Sequence, residues 1–86
     1  MAMHNRVMAG RKVVDHFSQV PLAVQLAAIL REQIQTGQLA HHDPLPSEST
    51  LMQEHEVSRG TARRAVEMLR DEGLVITLAG RATIVK

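Results

Sequence analysis

The sequence predicts a mainly α-helical domain in which three helices are followed by a two-stranded β-hairpin. Apolar side chains recur at helical spacing in three segments, and a serine stands directly before the second and the third of them. Two short β-branched runs near the end of the chain flank a glycine-containing turn. A short helix, a tight turn, a second helix and then a hairpin is the element order of a winged helix-turn-helix.

Composition excludes several classes of protein. The 86 residues make one small domain, near the lower limit for a self-sufficient core, and Phe17 is the only aromatic residue. A thin aliphatic core favours dimerisation or a bound partner. The chain has no cysteine, no apolar run of about 20 residues and no signal-peptide pattern. We therefore expect a cytoplasmic protein with no membrane segment and no disulfide.

Charge is unevenly distributed, although the net charge is only +1. Residues 21–56 carry one cation and five anions, for a net −4. Residues 57–86 carry six cations and three anions, for a net +3, and residues 1–20 add a further +2. This distribution would allow the two positive segments to lie on phosphate groups.

Residues 1–20 show no clear period. Two interpretations remain open: a flexible terminus, or a basic arm that becomes ordered on DNA or packs on a second subunit. We place the domain boundary after residue 20 and assign residues 21–86 to the winged helix-turn-helix.

The first helix is predicted to begin at Pro21, whose missing N–H is not needed in a first turn, and to stop at Gly37. Its core-facing stripe consists of Leu22, Leu26, Ile29, Leu30 and Ile34. Residues 38–46 are predicted to form a loop that Pro44 and Pro46 stiffen.

The second and third helices are predicted to begin after Ser47 and Ser58, which act as N-caps. His55 occupies a position where an apolar residue is expected, so we interpret it as a packed histidine with one ring nitrogen hydrogen-bonded. The third helix should end at Gly73. Its predicted core positions are Ala62, Ala65, Val66 and Leu69.

The sequence gives little support for metal binding or catalysis. Adjacent His41 and His42, followed by Asp43, are expected to lie in a solvated loop, because neighbouring histidines cannot both point at one metal ion. No nucleophile and base stand in a recognisable setting, and there is no phosphate loop. We expect no catalytic residue, no metal site and no cofactor.

Residues 21–85 resemble the DNA-binding domain of the GntR family of bacterial transcription regulators. Four blocks carry the resemblance, in order and at the family's spacing: PLAVQLAAILREQIQTGQL, LPSE, VSRGTARRA, and LRDEGLV followed by GRAT. The resemblance implies a winged helix-turn-helix that binds double-stranded operator DNA, commonly as a homodimer on a palindromic site.

The resemblance also implies roles for individual residues. Arg59 and Arg63 match arginines that contact bases or phosphates, Thr61 matches a backbone contact, and Gly80 matches the wing-tip glycine that enters the minor groove. The spacing agrees, since residues four apart share one face of a helix. The full predicted DNA-binding set is Ser47, Ser49, Ser58, Arg59, Gly60, Thr61, Arg63, Arg64, Gly80 and Arg81.

The sequence departs from the family pattern at several positions. Ser49 replaces an arginine that commonly contacts DNA, Ala82 replaces the second wing glycine, and Gly60 stands where a larger polar residue is frequent. Glu56 replaces the turn glycine, at a cost on the order of 1 kcal/mol if this position needs a positive φ. The family also normally carries a C-terminal effector domain. We expect no such domain within these 86 residues, which are either the DNA-binding domain of a longer regulator or a short stand-alone member.

The leading hypothesis is a sequence-specific DNA-binding transcription regulator, a repressor that occupies its operator in the bacterial nucleoid. The alternative is a winged helix that binds protein, as an antirepressor or as the mixed-dimer partner of a full-length regulator. The absence of an arginine at position 49 and the net negative charge of residues 21–56 favour this alternative slightly.

Overall fold

The structure is a computed structural model that describes residues 12–80 and 82–86. It confirms the predicted element order. Helices α1, α2 and α3 span Leu22–Gln35, Glu48–His55 and Arg59–Asp71, and strands β1 and β2 span Val75–Thr77 and Thr83–Val85. None of the helices in this part of the chain has both the length and the apolar character needed to cross a bilayer.

Helix α1 begins one residue later than predicted. Pro21 is its N-cap, with φ −55° and ψ 142°, and its carbonyl accepts the first helical hydrogen bond from Gln25 N at 3.1 Å. The end of the helix is as predicted, because Gly37 follows the C-cap Thr36 with φ +86°.

Both predicted serine caps are confirmed. The Ser47 hydroxyl accepts a hydrogen bond from Thr50 N, and the Ser58 hydroxyl accepts one from Thr61 N, each at 3.1 Å. Each cap satisfies one of the free N–H groups at the start of its helix. Together the two serines fix where α2 and α3 begin, and hence which α3 side chains face away from the core.

The turn between α2 and α3 contains a backbone conformation that disfavours side chains. Glu56, the C-cap of α2, lies in the left-handed region with φ +54° and ψ 50°. The position therefore does need a positive φ, the condition that the sequence left open, and a Cβ there costs on the order of 1 kcal/mol.

Replacing Glu56 with Gly is expected to stabilise the domain by up to about 1 kcal/mol, because glycine adopts positive φ without the steric cost, although it loses more chain entropy on folding. Urea denaturation followed by circular dichroism measures the change. The control is Gln53→Gly in exposed helical backbone of α2, which should destabilise by roughly 0.5–1 kcal/mol. Destabilisation by Glu56→Gly would show that the Glu56 side chain contributes more than its backbone costs.

The core is aliphatic, as predicted, and Phe17 is 98% exposed. Helix α1 packs on α3, and α2 packs on α3. Ala62, Ala65 and Leu69 of α3 have no exposed surface, and they meet Leu26 and Leu30 of α1 in the same cluster. His55 is also buried, and its Nδ1 accepts a hydrogen bond from Val14 N at 3.2 Å, which confirms the packed histidine.

A short loop segment pairs with the hairpin as a third strand-like element, which the sequence did not predict. Strands β1 and β2 are antiparallel, with Thr77 opposite Thr83 in the last pair before the turn. The loop segment at Pro44 forms an isolated bridge with Ile84, and Leu45 N donates to the Thr83 carbonyl at 2.9 Å. Residues 38–46 are therefore not only a loop: part of the segment binds the outer edge of β2 and ties the hairpin to the start of α2.

Residues 12–20 pack on the helices of their own chain. Val14 is buried in the core cluster, and His16 Nε2 donates to the His55 carbonyl at 2.8 Å. Asp15 N donates to the Gln25 side-chain oxygen at 2.8 Å. These contacts cross the predicted boundary after residue 20. The rest of the predicted arm, residues 1–11, lies outside the described residues.

Candidate nucleic-acid interface

Three arginines follow one side of α3. Arg59, Arg63 and Arg70 are separated by four and seven residues, which places them on the same face of a helix. We call these three residues the arginine row. The Arg59 and Arg63 side chains are 57% and 61% exposed, so they project from the surface, as the sequence predicts.

The Glu48 carboxylate pairs with the first two residues of the arginine row. Arg63 Nε donates to Glu48 Oε2 at 2.7 Å, and Arg59 Nε lies 3.7 Å from Glu48 Oε1. Glu48 is the first residue of α2, so its position depends on the Ser47 cap. The hydrogen bond from Glu48 raises the pKa of Arg63 above its usual range. The carboxylate therefore links the two helices across the turn.

The pairing leaves both guanidinium groups able to bind another acceptor. A guanidinium has five N–H donors, and the bond from Arg63 to Glu48 uses only the one on Nε. The two terminal nitrogens of Arg63 can therefore donate as a pair to two acceptors in one plane. Because the pair with Glu48 is solvent-exposed, its contribution to stability is small.

The other predicted DNA-binding residues of the helix-turn-helix lie next to Glu48, Arg59 and Arg63 at the starts of α2 and α3. Ser47 and Ser58 are exposed, but their hydroxyls cap helices and also donate to Thr50 Oγ1 and Thr61 Oγ1. Ser49 and Gly60 are exposed in the first turns of α2 and α3. A Cβ at Gly60 would meet only the Ser58 hydroxyl, at 3.9 Å, so packing does not require glycine there.

Arg64 lies on a different side of α3 from the arginine row, because one residue turns a helix by about 100°. It is 59% exposed, and its Nη1 donates to Glu67 of the same helix at 3.4 Å. Of the predicted DNA-binding arginines of α3, it is the one that does not pair with Glu48.

The predicted wing residues lie at the turn of the hairpin. Gly80 has φ +66°, a conformation that side chains rarely adopt, and a Cβ there would meet no atom within 4 Å. Ala82 is exposed beside it. The predicted contact of Arg81 falls outside the described residues.

An open cleft of about 510 Å³ separates α3 from the hairpin. Arg63 and Arg70 line it from the helix, Thr77 and Thr83 line it from the hairpin, and Glu48 lines it from α2. The structure thus brings the cation-bearing side of α3 and one face of the hairpin around a common space.

The described residues contain no group of three or more histidine, aspartate or glutamate side chains that could hold a metal ion. His41 and His42 are exposed, and the two rings lie 6.2 Å apart in an edge-to-face arrangement. His41 Nδ1 donates to the Lys86 carbonyl at 2.8 Å, so this segment ties down the end of β2.

Sequence reasoning missed Glu48 as part of the site. The predicted DNA-binding set includes Ser47 and Ser49 but leaves out Glu48, which stands between them. The available signal was that a residue in the first turn of α2 and residues in the first two turns of α3 meet across a tight turn. Their opposite charges then favour a pair.

The model of the family described as "Bacterial regulatory proteins, gntR family" matches residues 22–85. The chain is 40% identical over 72 residues to the HTH-type transcriptional repressor NagR of Bacillus subtilis, a match that covers 84% of this chain and 30% of the relative. It is 42% identical over 66 residues to the mannosyl-D-glycerate transport/metabolism system repressor MngR of Escherichia coli, covering 77% of this chain and 28% of the relative. The chain therefore spans less than a third of the length of these relatives.

A solved structure supports the same grouping. The structure described as AraR(DBD) in complex with operator ORX1 superposes with a TM-score of 0.79 and 29% identity, and the match covers 87% of this chain and 95% of that one. A likeness of this extent to a DNA-binding domain, together with the three helices and the two-stranded sheet, confirms the predicted winged helix-turn-helix fold.

Proposed function

We propose that this chain, which belongs to the GntR family of bacterial regulatory proteins, is the sequence-specific DNA-binding domain of a transcription regulator. The observation that carries the proposal is the exposed pair Arg59 and Arg63 at the start of α3, each more than half accessible beside the Ser58 cap. Relatives named as repressors, and a similar domain solved with an operator, support it.

In this proposal α3 enters the major groove with its N-terminal end. Free N–H groups and the partial positive charge at that end favour phosphate. The paired terminal nitrogens of Arg63 match the O6 and N7 acceptors of guanine, and Arg59 reaches an adjacent base or phosphate. Thr61, Gly60 in the first turn and the N-cap Ser58 approach the DNA backbone closely.

The hairpin supplies a second contact in the same proposal. Gly80 at its turn lets the backbone approach the narrow minor groove, and Arg81 follows the phosphates. Ser47, Ser49 and Arg64 contact the backbone on either side and position the domain without reading sequence.

We further propose that the regulator is a repressor that acts in the bacterial cytoplasm, at the nucleoid, by occupying a palindromic operator as a homodimer. Two-fold symmetry of the protein requires two half-sites related by the same symmetry. The named repressors among its relatives support this assignment.

Selection of bound sequences from random duplex DNA tests the proposal. We expect one enriched sequence, palindromic if the chain dimerises on DNA. Affinity for that duplex should fall steeply between 50 and 200 mM salt, because each neutralised phosphate releases counterions. Failure to enrich any sequence, together with salt-independent binding, would refute the proposal.

The pairing of Arg59 and Arg63 with Glu48 favours a second candidate function. A surface whose cations are already partly neutralised suits a protein partner better than it suits a polyanion. In that case the domain would be an antirepressor or a mixed-dimer partner of a full-length regulator. A complex with such a regulator that is insensitive to salt, and no selected DNA, would support it.

Replacing Glu48 with Gln separates the effect of its charge from its shape. Glutamine keeps an oxygen that can accept from Arg63 Nε but removes one negative charge from the proposed DNA-facing surface. We expect Glu48→Gln to raise affinity for random duplex DNA about threefold to tenfold at low salt, since one repulsive charge near phosphates is worth roughly 1 kcal/mol. Titration at several salt concentrations measures this, with Glu32→Gln on α1 as the control. Unchanged binding to random DNA would place Glu48 away from the phosphates.

A further inference from the structure

The structure joins the third member of the arginine row to the hairpin. Arg70 lies in the last turn of α3, and its Nη2 donates to Thr77 Oγ1 of β1 at 2.8 Å. Among the side chains that the structure describes, this is the hydrogen bond that connects α3 to the hairpin. The DNA-binding set predicted from the sequence does not include Arg70.

The connection continues across the hairpin. Thr77 and Thr83 are partners in the strand register, and their hydroxyl oxygens are 2.9 Å apart. Because Thr77 Oγ1 accepts from Arg70, its own hydrogen is available to donate to Thr83 Oγ1. The Thr83 carbonyl in turn accepts from Leu45 N at 2.9 Å, two residues before the Ser47 cap. We call the series Arg70, Thr77, Thr83 the wing tie.

The hairpin needs such a connection to hold one orientation. Each strand has only three residues, and a two-stranded hairpin is at most marginally stable by itself. Val75 and Val85 anchor its base in the core, at 1% and 3% exposure. Thr77 and Thr83 stand two residues beyond these valines on the same face, where the hairpin leaves the core and faces the cleft.

We propose that Arg70 is a positioning residue that fixes the angle between α3 and the hairpin, so that the turn at Gly80 reaches DNA when Arg59 and Arg63 occupy the major groove. This inference rests on the DNA-binding function proposed above. In it, Arg70 reads no base. Its guanidinium holds Thr77, and the two threonine hydroxyls pass that constraint to both strands.

Three variants test the wing tie on the duplex selected with the wild-type chain. Thr77→Val keeps the β-branched shape but removes the hydroxyl, Thr77→Ser keeps the hydroxyl, and Thr83→Val removes the next member. We expect the two valine variants to lose roughly threefold to tenfold in affinity, the scale of one ordinary hydrogen bond. Thr77→Ser should bind as the wild type does. Thermal unfolding confirms that each variant is folded.

Footprinting shows whether the hairpin or the helix is affected. In both valine variants, hydroxyl-radical protection in the minor groove should weaken, whereas methylation protection of guanines in the major groove should persist. A double-mutant cycle with Arg70→Gln should be non-additive, with Arg70→Gln/Thr77→Val binding no more weakly than Arg70→Gln alone.

Two outcomes would overturn the inference while leaving the proposed function intact. One is wild-type affinity and unchanged minor-groove protection in both valine variants. The other is weaker binding and a smaller salt dependence in Arg70→Gln alone, which would make Arg70 a phosphate contact. If the wild-type chain selects no DNA, the proposed function itself fails.

Discussion

Replacing Arg63 with Ala is expected to weaken binding to the selected operator by about 1–3 kcal/mol, roughly fivefold to 150-fold, and to relax sequence preference at one position. The side chain is 61% exposed, and its only hydrogen-bond partner among the described residues is Glu48. Truncation therefore removes donors from the groove without disturbing the core. Arg59→Ala should have an effect of the same order, because Arg59 shares this face and this carboxylate.

The measurement is a titration of the selected duplex and of a scrambled duplex at one fixed salt concentration. Arg64→Ala is the matched control, since Arg64 lies on the same helix with similar exposure but pairs with Glu67 on another side. It should weaken binding to both duplexes equally and only slightly. Unchanged operator affinity in both Arg59→Ala and Arg63→Ala would remove the base-reading role from α3.

The folded state should be almost unaffected by these substitutions. Exposed ion pairs contribute little to stability, so loss of Arg59 or Arg63 should change the free energy of unfolding only slightly. A clear loss of stability in Arg63→Ala would mean that the pair with Glu48 holds α2 and α3 together. That result would favour a structural role for the arginine.

The helices could be predicted from the sequence because their signals are local. Ser47 and Ser58 stand directly before their helices, and each hydroxyl bonds an N–H only three residues away. The family's glycine at position 56 likewise pointed to a possible positive φ, which Glu56 adopts. Such features involve neighbouring residues, so spacing and residue type are enough to locate them.

The contacts that complete the site could not be predicted, because they join distant parts of the chain. Glu48 pairs with a residue 15 positions away, and Val14 bonds to His55 across 41 positions. The bridge between Pro44 and Ile84 was hidden because proline is unusual in a sheet except at an edge. Periodicity within one segment carries no information about which distant segment lies beside it.

Replacing Leu69 with Ala is expected to destabilise the domain by about 2–5 kcal/mol, through lost burial and the cavity left behind. Leu69 has no exposed surface and lies on α3 in the core cluster that includes Leu26 and Leu30 of α1. A chain of 86 residues has a total stability of only roughly 4–13 kcal/mol. Urea denaturation measures the loss, and Val24→Ala, at a 42% exposed position of α1, should change stability by less than about 1 kcal/mol.

Operator DNA should recover the folded state of Leu69→Ala, whereas it cannot recover the lost affinity of Arg63→Ala. This contrast separates folding from recognition. Operator that binds only the folded state stabilises it by about 2.7 kcal/mol at 100 times Kd, which offsets about half or more of the lost stability. Leu69→Ala should therefore bind with wild-type affinity at temperatures where it is folded, and more weakly near its Tm, in proportion to the folded fraction. Arg63→Ala should bind weakly at every temperature. Weak binding by fully folded Leu69→Ala would mean that core packing on α3 also sets the direction of the arginine row.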